Sequence, residues 1–196
     1  MAESRTSNRI SMLCIGMCLA LAAHSAANGY AQPPSPQDKK ALADFSREVK
    51  QYLSMEHNLP ADKLKTTTDV AELERERQVL RQAIAQARPD AKQGDLFTPD
   101  VAAAFRRLLG QTMSGPDGAK IRASLAHAEP NPGQGLAVNG IFPNTGGRPL
   151  QSVPATLLKN LPVLPKGLDY RITGRTLALR DADANIVVDY LPDALP

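Results

Sequence analysis

Residues 168–191 read LDYRITGRTLALRDADANIVVDYL, and this run decides the fold class. Leu168, Tyr170 and Ile172 alternate with Asp169, Arg171 and Thr173, the period-two pattern of a strand with one apolar face. Thr173-Gly174-Arg175 supplies a turn, and Leu177 and Leu179 continue the apolar side. Asp181 to Asn185 supplies a second turn, after which Ile186, Val188 and Tyr190 carry the pattern through a third segment. A three-stranded antiparallel meander is therefore expected over 166–191. Three short strands with one apolar face are not stable uncovered, so the upstream chain must supply helices.

It has the right periodicities. From Asp38 to His57, Leu42, Phe45, Val49, Tyr52 and Leu53 recur at helical spacing, with Lys39, Lys40, Asp44, Arg47, Glu48 and Lys50 opposite them. Pro60 ends that helix by disfavouring the helical conformation at Leu59. Asp69 with Glu72 resembles a capping box and opens a second helix to about Arg88, striped by Val70, Leu73, Leu80, Ile84 and Ala87. The run Glu74 to Arg77 reads as its solvated face. Thr98-Pro99-Asp100 combines a cap hydroxyl, a first-turn proline and an acid at the positive end of the dipole, so a third helix starts there. Val101, Phe105, Leu108 and Leu109 form its inner face, and Gly110 is the expected stop. A short fourth helix is expected over 119–126, after the turn Gly115-Pro116-Asp117-Gly118.

From Glu129 to Pro165 prolines at 130, 132, 143, 149, 154, 162 and 165 forbid long regular elements. Within that connector, 136–142 reads as one strand and 152–161 as a short helix. The expected architecture is a single α+β domain over 38–196. It comprises a helical part at 38–128 with three or four helices, the proline-rich connector at 129–165, and the meander.

The N-terminus sets the expected compartment. Arg5 and Arg9 precede an almost wholly apolar stretch from Ile10 to Ala23, and small residues follow in HSAANGYA, the pattern of a signal peptide over 1–31. Cleavage is expected after Ala27 or Ala31, leaving a proline-rich, flexible leader at 32–37. The apolar stretch is shorter than the roughly 20 residues that span a bilayer, and no later run is longer. The processed chain is thus expected to lack a membrane span and to be periplasmic or secreted. Cys14 and Cys18 both lie in the segment to be removed, so a cysteine-free mature chain has no disulfide or thiol chemistry. The formal charge of +3 falls to about +2 on processing, with both signs interspersed, and tryptophan is absent. Neither the charge nor the few aromatic residues suit nucleic-acid binding.

Few residues suggest chemistry. Asp181, Asp183 and Asn185 match the opening D-x-D-x-N of a calcium loop, whose alternating oxygens converge on one ion. Ile186 stands where the tight-turn glycine belongs, and Pro192 where the bidentate glutamate belongs, so the stretch is a turn first and a weak metal site second. His57 and His127 lie too far apart for a helical ligand pair. Ser46, Ser54, Ser114 and Ser124 have no nucleophile-elbow context, and Gly133-Gln134-Gly135 is too short to cradle phosphate. No catalytic residue and no cofactor is assigned.

Two segments carry a resemblance. AKQGDLFTPDVAAAFRRLL (91–109) together with LPVLPKGLDYRITGRTLALRDADANIVVDYLPDALP (161–196) resembles a family of uncharacterised secreted proteins of Gram-negative soil bacteria. The resemblance implies export and brings no activity or site residues. YRITGRTLALRDADANIVVDYL (170–191) is similar to the C-terminal hairpin of small periplasmic proteins linked to nickel and cobalt homeostasis. The expected function is that of an exported periplasmic or cell-envelope protein, a non-catalytic binding or structural module with an envelope protein partner. An envelope hydrolase built from dispersed carboxylates is the competing expectation. The sequence does not give an oligomeric state.

Overall fold

A computed structural model describes residues 33–60, 69–126, 135–143 and 153–196. The expected signal peptide with Cys14 and Cys18, His127, Gly133, Gln134 and Ser152 lie outside the described residues. The remainder is α+β: α1 (Pro36–His57), α2 (Val70–Ala87), α3 (Pro99–Ser114), α4 (Gly118–Ala126) and α5 (Ala155–Leu158) precede β1 (Leu168–Thr173), β2 (Thr176–Asp181) and β3 (Ile186–Leu191). Among the described residues no helix is long and apolar enough to cross a membrane.

Helix boundaries follow local chemistry. The Ser35 hydroxyl accepts from the Asp38 N–H at 3.1 Å while the Asp38 carboxylate accepts from the Ser35 N–H at 2.9 Å, a reciprocal cap. Pro36 fits the first turn because it has no N–H to leave unpaired. The leader expected to run to residue 37 therefore gives up Pro36 and Gln37 to α1. Arg107 of α3 reaches the buried Asp38 carboxylate and ties the two helices together. In α2, Asp69 accepts from the N–H groups of Ala71 and Glu72, and only the second half, at Leu80 and Ile84, enters the core. α3 runs through Gly110 to Ser114. An interior glycine costs only about 1 kcal/mol relative to alanine, and burial of Thr112 and Met113 favours another helical turn. The helix stops where Gly115, extended ahead of Pro116, cannot continue it.

The sheet has the order β1-β2-β3, both pairs antiparallel. Gly174 has φ 58 while Arg175 does not share a positive φ, so the two-residue turn is of type II′, which matches the twist of the strands it joins. Leu168, Tyr170, Leu177, Leu179, Ile186 and Val188 all enter the main core, as their alternation predicts. Tyr190 departs from the expected face. Arg180 pairs with Val187 but Leu179 pairs with Asp189, so Val188 is an extra residue and the strand carries a β-bulge. Beyond it the phase reverses: Leu191 joins the main core and Tyr190 packs on the other face with Phe142, Ala178 and Val187.

The stretch 136–142, expected as a strand, is a turn ending in one bridge, Ile141 to Ile186. Asn139 at φ 61 and the bond from the Gly140 N–H to the Ala137 carbonyl at 2.9 Å fold the backbone back on itself, which a strand cannot do. The segment still covers the edge of β3. The Asn139 N–H donates to Val187 O at 2.8 Å, Val187 N–H to Gly140 O at 2.9 Å, and Phe142 N–H to Asn185 O at 2.9 Å.

Between the helices and the sheet sits an aromatic cluster. Phe45 lies 4.9 Å from Phe105 and 5.4 Å from Phe97 by ring centroids, with Tyr170 at 6.4 Å on the sheet side. Phe105 is fully buried and touches every other ring of the group. Phe105→Ala is expected to lower the unfolding free energy by about 3–5 kcal/mol in urea titrations. Val79→Ala on the exposed side of α2 is expected to change it by less than about 0.5 kcal/mol.

Candidate functional site

The bulge in β3 aims Asp189 into the interior. Its side chain is 0 % exposed, and its carboxylate receives four main-chain donors. Oδ1 accepts from Gly94 N–H at 2.9 Å and Tyr190 N–H at 2.7 Å; Oδ2 accepts from Leu96 and Phe97 N–H, each at 2.8 Å. Desolvation pushes the Asp189 carboxyl above its ordinary range, against the pull of those four amides. The donors from 94–97 belong to the loop leading into α3, so the carboxylate fixes that loop to the sheet. Thr98, the expected hydroxyl cap of α3, makes no side-chain cap bond. The carboxylate is enclosed and saturated, which makes it a structural anchor.

The Asp181–Asn185 turn holds the residues expected to bind metal weakly, and each has its own neighbours. Asp181 is buried, with Oδ2 accepting from the Tyr52 hydroxyl at 2.7 Å and Oδ1 from the Ala184 N–H at 2.8 Å. Burial, and then the charge of Asp183, raises the Asp181 carboxyl above its ordinary value, opposed by those two donors. Asn185 occupies φ 52, the role a glycine often fills in a turn, and its Oδ1 accepts from Arg180 at 3.2 Å. Asp183 is exposed. Among the described residues no group of three His, Cys, Asp or Glu side chains is placed to hold a metal ion. At the end of α1, Glu56 is raised by its own burial and by the nearby charges of Asp181 and Asp183. His57 lies on the surface, 3.4 Å from Glu56.

Beside its small apolar cluster, the outer face of the sheet carries a polar cross-link. Asp169 accepts from Arg171 at 2.6 Å and from Arg180 at 2.7 Å, and the Arg180 guanidinium also lies 5.7 Å over the Phe142 ring. Burial would raise Asp169, but the hydrogen bonds from Arg180 and then Arg171 outweigh it and hold the carboxyl below its ordinary value.

One opening combines apolar walls with free backbone. A groove of about 380 Å³ runs along β1, walled by Val153, Leu158, Leu161, Val163 and Leu164 on one side and by Leu168 to Arg171 on the other. Val163 is 96 % exposed on its rim. The Thr173–Thr176 pair closes the two-residue turn, which directs the N–H and C=O groups of Tyr170 and Ile172 away from β2. Among the described residues no main-chain group outside the sheet bonds to either of them. Among the described residues β1 is thus an open edge, in contrast to β3. Among the described residues the one acid lining the groove, Asp169, is held by two arginines. The free edge beside these apolar residues depends on strand order, which no local pattern encodes.

Compared with protein families, curated proteins and solved structures, the chain matches none.

Two outcomes test the anchors. Asp189→Ala strands four N–H groups, those of Leu96 and Phe97 buried and those of Gly94 and Tyr190 partly so, and is expected to lower stability by at least about 3 kcal/mol in urea unfolding. For Asp169 the folded pKa lies below the ordinary 3.8, so its stabilisation is complete above that value and fades as pH falls through the lower folded value. In Asp169→Asn, stability measured by thermal melts between pH 2 and 5 is expected to lose that part of its acid dependence, here taken over about three pH units.

Proposed function

We propose that this protein is an exported, non-catalytic binding module of the periplasm or cell envelope. Its partner is an envelope protein that adds an extended segment to the open edge of β1. One observation carries the reading: among the described residues the outward backbone of Tyr170 and Ile172 has no main-chain partner, and Tyr170 lines an apolar groove. In strand addition, main-chain bonds supply affinity while alternate side chains of the guest enter pockets. An edge with exposed N–H and C=O groups invites such pairing unless it is covered or blunted by charge or proline. β3 is covered by the segment at 139–142, and no described residue covers β1 in the same way.

Export rests on the N-terminal pattern of Arg5, Arg9 and the apolar run from Ile10 to Ala23. The resemblance of 91–109 and 161–196 to secreted proteins points the same way. The competing hydrolase reading draws no support from the groove, where Asp169 faces arginines and not a second acid or a histidine.

Crosslinking in intact cells followed by affinity capture from the envelope fraction tests this reading. The wild-type chain is expected to recover a specific companion. Val163→Asp, which places a charge on the groove rim, and Ile172→Pro, which removes an outward N–H, are each expected to lose it while retaining the far-ultraviolet circular dichroism of the wild type. Recovery of background alone, or equal recovery by both variants, would count against the proposal.

A further inference from the structure

A second opening lies on the other side of the molecule, between the first half of α2 and the segment around Ile141. Val70, Glu74 and Arg77 recur at helical spacing on one face of α2 and line a cleft of about 490 Å³, with Ile141, Phe142 and Asn185 opposite. This volume falls within the roughly 300–1,000 Å³ of small-molecule sites. Val70 is 79 % exposed and Ile141 60 %, so two large apolar side chains flank the same opening in contact with water. The half of α2 that bears Val70 and Arg77 is the half that stays out of the core.

The polar groups of the cleft are unequally engaged. Glu74 is held by Arg81, which also donates to Ala184 O at 3.1 Å. Asn185 Oδ1 accepts from Arg180, leaving the Asn185 amide hydrogens as donors. Arg77 differs: its Nε is buried and has no hydrogen-bond partner, and among the described residues no carboxylate is ion-paired with it. No carboxylate among the described residues neutralises this guanidinium, so the side chain that lines the cleft favours an anionic acceptor brought in from outside.

We propose that this cleft binds a small carboxylate carried on an apolar body. Arg77 receives the anion through charge-assisted hydrogen bonds, and the Asn185 amide donates to its second oxygen. Val70, Ile141 and Phe142 cover the apolar part. A single uncompensated guanidinium matches a monoanion; a phosphate dianion would call for more donors than the cleft provides. The same chemistry is offered by a free aliphatic or aromatic acid and by a polypeptide C-terminus ending in an apolar residue. The cleft is separate from the β1 groove, and either site can exist without the other.

Isothermal titration of the full chain with 4-phenylbutyrate and its neutral amide tests the site, alongside a short peptide with a free C-terminal phenylalanine and the same peptide amidated. At least one carboxylate is expected to bind, with its amide at least about tenfold weaker. Arg77→Met is expected to lose the same factor with unchanged circular dichroism, and Arg77→Lys to recover part of it. The tighter of the two acids identifies the source. Equal affinity for acid and amide, undiminished binding by Arg77→Met, or no heat from either acid overturns the proposal.

Discussion

The fold depends on one buried carboxylate. Asp189 sits where a period-two strand would place an outward residue, and it reaches the interior because Val188 adds a residue to β3 at the bulge. An ionised group so enclosed is tolerated only when donors replace the water it has lost. The N–H groups of Gly94, Leu96, Phe97 and Tyr190 are those donors. Three of them come from the loop before α3, so the requirement of the charge and the requirement of the loop are met by the same bonds. Phe97 then enters the aromatic cluster from a fixed position, and α3 starts two residues later, at Pro99. Sheet, loop and helix are therefore positioned together.

Much of this architecture was legible in the sequence, because its signals are local. The strands begin and end where turn residues interrupt the alternation around Gly174 and Asn185. α2 starts at its Asp69 cap and α4 within a residue of its expected start. What was not legible needed knowledge of a partner. Alternation alone sends Tyr190 inward and Asp189 outward; the bulge that reverses them exists because a carboxylate acceptor is matched to amides about a hundred residues upstream in the fold's own geometry. Gly110 looked like a stop, but tertiary burial of Thr112 and Met113 overrides a propensity difference of about 1 kcal/mol. The segment around Asn139 looked like a strand because its composition is apolar. Its positive φ makes it a turn that nevertheless seals a sheet edge.

The two edges of the sheet and the two halves of α2 show a common asymmetry. β3 is sealed by main-chain bonds from residues 139–142 and β1 is open beside apolar walls. The second half of α2 is buried through Leu80 and Ile84, and its first half presents Val70 and Arg77 to a cleft. In the Asp181–Asn185 turn, by contrast, the oxygens of Asp181 and Asn185 already accept from groups within the protein. Unpartnered groups lie beside concave apolar surface, while the acid-rich turn stabilises the hairpin.

The hydrogen bond from Tyr52 to Asp181 joins residues 129 positions apart in the chain. Forming it is slow, because a large loop must be ordered before the contact can form. Until β3 has been synthesised, the apolar stripes of α1 and α3 have no sheet to cover them, and no carboxylate holds the loop at 94–97. Joining the helical part to the sheet therefore waits for strands that follow it in the chain.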